Sequence, residues 1–123
     1  MSAVLAYLSA ALLAAWGTAH AIPTRQVLAG FKPITPGNRR IVEQEWLAEA
    51  FTMWGTAAVV IAATAAGGLA MDTRAWVYRA VSALLIALAA LTTLTGAKTP
   101  VIWFKICPVL LGVSAALLLI ASL

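Results

Sequence analysis

Few side chains in this 123-residue chain can do chemistry, and most of them gather in one stretch. His20, Glu45 and Glu49 form the one polar constellation, with Arg25, Arg39 and Arg40 close in sequence. Glu45 and Glu49 are four residues apart, so on a helix they share a face. Thr52 and Thr56 continue that stripe at +7 and +11. Paired carboxylates with an imidazole can bind a divalent metal, relay protons or act in general acid–base catalysis. An ionisable group carried into a membrane is a functional candidate by default, because burying it is costly. The candidate ligand-binding or proton site is therefore His20, Glu45, Glu49, Arg25 and Thr52. The plainer expectation is that the two glutamates pair with loop arginines and anchor their helix at the membrane surface.

Other chemistry finds no support. The serines and threonines have no adjacent base, so no catalytic nucleophile is assigned. One His and two carboxylates lack the spacing of a helical HExxH motif, so no metal ligands and no cofactor are assigned. The single Cys107, beside Pro108 in an apolar run, reads as a small hydrophobe. No basic patch interleaved with aromatics suggests nucleic acid.

The elements that must position these residues follow from composition. The chain is 63% hydrophobic and 10% charged, against about 25% charged in a globular protein. So few charges could not cover a surface facing water, and lipid becomes the expected solvent. Four uncharged runs, 3–22, 50–71, 80–97 and 106–123, are each about long enough to cross roughly 30 Å of hydrocarbon. With flanking turns the spans fall near 3–22, 48–71, 77–97 and 104–123. The expected fold is all-α: one integral membrane domain, 1–123, forming a four-transmembrane-helix bundle with an interfacial first loop.

That loop is shaped by Pro23, Gly30, Pro33, Pro36 and Gly37, and a short interfacial helix fits 24–29. Asn38 is a good N-cap for the second long helix, whose pattern runs unbroken to about Met71. Asp72 or Thr73 can cap the third helix. Pro100 is a favoured first position for the last, which should kink near Pro108. Gly112 and Ala116 form a small-xxx-small pair of the kind that lets helices approach in lipid. Ala19-His20-Ala21 has the form of a signal cleavage site, but no Lys or Arg precedes Arg25, so the first run is expected to remain as a span.

Six basic residues, Arg25, Lys32, Arg39, Arg40, Lys98 and Lys105, fall in the first and third connections, against Arg74 and Arg79 in the second. The positive-inside rule then places loops 23–47 and 98–105 in the cytoplasm.

His20, Thr24-Arg25, Gly30-Phe31, Asn38-Arg39-Arg40, Glu45-Trp46 and Glu49 together resemble the first loop and second helix of small bacterial integral membrane proteins with a DoxX-like four-helix layout. The resemblance covers about a quarter of the chain. It implies a multi-pass protein of the bacterial inner membrane with no assigned activity. The leading functional expectation is a non-enzymatic accessory, assembly or small-ligand-binding component, partnered by the bilayer and by another membrane protein or copies of itself. The alternatives are an oligomeric small transporter or channel using Glu45 and Glu49, and a membrane enzyme acting on a lipophilic substrate through His20 and those glutamates.

Overall fold

The structure, a computed structural model, describes residues 1–123. It is all-helical: α1 (Ser2–Ala21), α2 (Thr24–Gly30), α3 (Pro36–Ala65), α4 (Met71–Leu94), a 3₁₀ turn (Gly96–Lys98) and α5 (Ile102–Ala121). Four of these helices are long and apolar enough to cross a membrane. Their outward faces carry large apolar side chains such as Phe51, Ile86, Val109 and Ile120, a surface suited to lipid as its solvent.

The helix ends follow local chemistry. Pro23 has no N–H to extend α1, and Thr24 Oγ1 instead donates to the Ala21 carbonyl at 2.6 Å. The short helix expected at 24–29 forms as α2. At α3 the cap is Thr35, not Asn38: Thr35 Oγ1 accepts from the Asn38 N–H at 3.2 Å, and Pro36 takes the first helical position. The other end falls at Ala65, short of Met71, just before Gly67-Gly68, whose backbone freedom makes helix costly. Neither Asp72 nor Thr73 caps α4. It begins at Met71 after Ala70, without a side-chain cap. α5 begins at Ile102 and carries Pro108 within it.

Polar side chains tie the antiparallel neighbours together. Ser9 Oγ donates to the Ser114 carbonyl at 3.0 Å, joining α1 to α5, and Ser82 Oγ donates to the Ala115 carbonyl at 3.1 Å, joining α4 to α5. In lipid such bonds contribute about 0.6 kcal/mol each, so small residues that permit close packing matter at least as much. Among the glycines the closest surroundings are at Gly17 of α1, where a Cβ would lie 3.0 Å from the Trp54 indole and 3.1 Å from Met53 Cβ of α3. Within the bundle the pair Gly112–Ala116 takes no such contact at its glycine, since nothing of the same chain lies within 4 Å of a Cβ at Gly112.

The helices are therefore ordered α3–α1–α5–α4, with three close interfaces. The fourth side of the bundle is different: α3 and α4 touch little. They meet near their short connection, where Thr64 Oγ1 and Tyr78 OH lie 2.7 Å apart. Towards the end that holds α2 and the 3₁₀ turn they leave a cleft.

Candidate functional site

At that end the last turn of α1 brings His20 against the third turn of α3. The His20 and Trp46 rings stack with centroids 3.9 Å apart and planes 17° from parallel. Trp46 Nε1 donates to the His20 carbonyl at 3.0 Å, and His20 Nε2 lies 3.1 Å from the Trp46 carbonyl. A carbonyl only accepts, so Nε2 carries the hydrogen. The carbonyl of His20 is one of those a helix end leaves without an intrahelical partner. The indole satisfies it.

Glu49 follows Trp46 by three residues and so emerges on nearly the same face. Its Oε2 lies 3.5 Å from His20 Nε2. Its Oε1 lies 3.9 Å from Cys107 Sγ, which in turn accepts from Trp16 Nε1 at 3.3 Å. A continuous polar chain thus links α1, α3 and α5. Phe104, one turn before Cys107, sets its ring edge-on to Trp46 at 5.8 Å.

These residues line a cavity of about 1090 Å³. Trp16 and His20 come from α1, Glu45, Trp46, Glu49 and Thr52 from α3, Leu88 and Thr92 from α4, and Phe104 and Cys107 from α5. Val27 and Phe31 of α2 and the turn after it complete the wall. The exposed Ala48 and Leu91 stand at the mouth of the α3–α4 cleft. Below, the bundle closes on the fully buried Leu13, Met53, Leu85 and Leu111.

Of the residues expected from sequence, His20 and Glu49 are brought together. Glu45 sits one turn outward on the cavity rim, exposed, with Gln44 Nε2 donating to it at 3.3 Å. Thr52 lines the cavity, but its hydroxyl donates to the Ala48 carbonyl of its own helix at 2.8 Å. Arg25 is exposed on α2 and lies outside the cavity wall. The expected anchoring pairs do not form: the one ion-pair contact in the molecule is His20–Glu49, and no arginine or lysine reaches a carboxylate. The loop basic side chains extend into solvent instead, where holding a long side chain in a pair gains little.

Sequence reasoning missed the aromatic and thiol members. A signal existed in the helical spacings: Trp16–His20 at i+4, Trp46–Glu49 at i+3 and Phe104–Cys107 at i+3 each place a second group on the same face. Although His20, Glu49 and Cys107 converge, no three histidine, cysteine or carboxylate side chains form a set that could hold a metal ion. A shallower depression of about 650 Å³, among Lys32, Pro33, Ile34, Pro36 and Arg39, is open to solvent and holds none of these groups. Set against known proteins, the chain matches no family model, no curated protein and no solved structure.

Proposed function

We propose that the protein is a multi-pass membrane component that binds a small amphipathic molecule between α3 and α4. The observation that carries this reading is the cavity itself, about 1090 Å³, with aromatic walls and one carboxylate–imidazole pair. Ligand sites are typically concave, mostly apolar, and equipped with a few convergent polar groups that fix orientation. The cleft lies between α3 and α4 on the flank of the bundle, which gives a lipophilic molecule a lateral route into it.

The closed core favours binding over conduction. Thr52 and Thr56 satisfy their hydroxyls on carbonyls of their own helix, and Leu13, Met53, Leu85 and Leu111 fill the space beneath. The engagement of His20 Nε2 with the Trp46 carbonyl favours a positioning role for the imidazole over acid–base turnover.

The membrane in question is, on this proposal, a bacterial inner membrane. The end holding α2 and the α4–α5 connection, richer in lysine and arginine, faces the cytoplasm.

Native mass spectrometry of protein released from bilayers tests the binding reading. A bound molecule of non-lipid mass is expected, and Ala48→Trp, which fills the cleft mouth, should abolish it. An unliganded protein that instead retains a second polypeptide in the cleft would favour an accessory subunit.

A further inference from the structure

The distribution of charge around the cavity is the reverse of that in the whole chain. The protein has eight lysines and arginines against four acidic residues. None of the eight lines the cavity, whereas Glu45 and Glu49, half of the acidic residues, do. Five of the ten aromatic side chains, Trp16, Phe31, Trp46, Trp103 and Phe104, also stand on its walls. Aromatic faces carry negative potential and attract cations, most strongly where water is excluded. His20 is the one wall residue that can become positive, and its Nε2–H is shared between the Trp46 carbonyl and Glu49.

Glu49 is placed where its charge matters. Counting back from Ala65, about 20 residues cross the hydrocarbon, which sets its limit near Trp46 and leaves Glu49 about one turn inside. At that depth the one ionisable nitrogen beside the carboxylate is the His20 imidazole at 3.5 Å, with no lysine or arginine, so a cationic ligand would supply the permanent counter-charge that a low-dielectric setting favours. Glu45, one turn outward, adds negative potential at the rim.

We infer that the ligand is a lipophilic organic cation, an ammonium or phosphonium centre carrying aromatic or alkyl groups. Its charge pairs with the Glu49 carboxylate and its apolar groups lie against the Trp16, Trp46 and Phe104 walls. This rests on the binding reading above and adds the sign of the ligand's charge. An anion of equal size would meet two carboxylates and no basic side chain.

The test compares two probes of the same shape and opposite charge. Purified protein in nonionic detergent is titrated with tetraphenylphosphonium and, separately, with tetraphenylborate. Tryptophan fluorescence is followed, and empty micelles are subtracted. Saturable binding is expected for the phosphonium, with the borate at least about tenfold weaker. Glu49→Gln, which keeps shape and removes charge, should weaken phosphonium binding by at least about tenfold as well. Equal affinity for both ions overturns the assignment of charge while leaving a binding cavity. Unchanged phosphonium affinity in a folded E49Q protein does the same. Saturable binding by neither ion overturns the binding reading too. The comparison of ions uses the wild-type protein, so it stands even where the variant fails to fold.

Discussion

His20 and Trp46 hold each other by three contacts at once: a ring stack at 3.9 Å and two hydrogen bonds, each from a side chain to the other residue's carbonyl. The pair fastens the end of α1 to α3 and at the same time aims His20 Nε2 at Glu49. The imidazole is thereby part of the bundle's construction as well as of the cavity wall.

Removing one strand of this clasp should be measurable. Trp46→Phe keeps an aromatic ring to stack but leaves the His20 carbonyl without its donor, at a cost of about 1–2 kcal/mol. His20→Phe keeps a ring and removes the opposite bond. In thermal or chemical unfolding in detergent, the double variant should lose less than the sum of the two single losses. Strict additivity would show that the two bonds act independently.

Two glycines should behave in opposite ways. Gly17→Ala puts a methyl 3.1 Å from Met53 Cβ, an atom that moves only with the α3 backbone, and 3.0 Å from the Trp54 indole, which donates to Ala14 and Thr18. Overpacking costs about 1–3 kcal/mol, which outweighs the roughly 0.5–1 kcal/mol that alanine gains in a helix. Gly112→Ala meets nothing within 4 Å and should be neutral or slightly stabilising. Unfolding midpoints of the two variants decide it, and a stabilised G17A protein would contradict the packing.

At the opposite end, Arg79 of α4 reaches the last turn of α5. Its Nη2 donates to the Ser122 carbonyl at 3.2 Å and its Nε to Ser122 Oγ at 3.4 Å. Arg79→Ala should raise amide hydrogen exchange several-fold in residues 118–123, because terminal helix turns fray when their carbonyls lose partners. Exchange elsewhere should not change. A uniform rise along α5 would show that the contact supports the whole helix.

The proposed orientation can be read with a single thiol. In a Cys107→Ala background, Gly37→Cys lies in the first turn of α3 with open space around it. A membrane-impermeant maleimide should label it in inverted vesicles and leave it unlabelled in intact spheroplasts. The reverse pattern would place this end outside.

Much of the fold was legible in the residues because the membrane imposes a local rule. A run of about 20 apolar residues must satisfy its own backbone, and a helix does so within the segment. The four long apolar helices and the short α2 therefore followed from composition and spacing, which also singled out His20 and Glu49 as polar candidates. Helix ends followed less closely, as at Thr35 and Ala65, since several adjacent residues could cap or break with similar energy.

Which helices touch depends on contacts between residues far apart in the chain. In alanine-rich spans every face is apolar and small, so periodicity does not distinguish the face of Gly17, which takes α3 against it, from that of Gly112, which faces open space. That packing leaves α3 and α4 apart, leaves Arg25 outside, and joins Cys107, Trp16 and Phe104 to residues far away in sequence. Composition and spacing were enough to specify four apolar helices with one polar end. Packing, which depends on the shapes of distant side chains meeting, decided that this end contains a cavity with Glu49 on its wall.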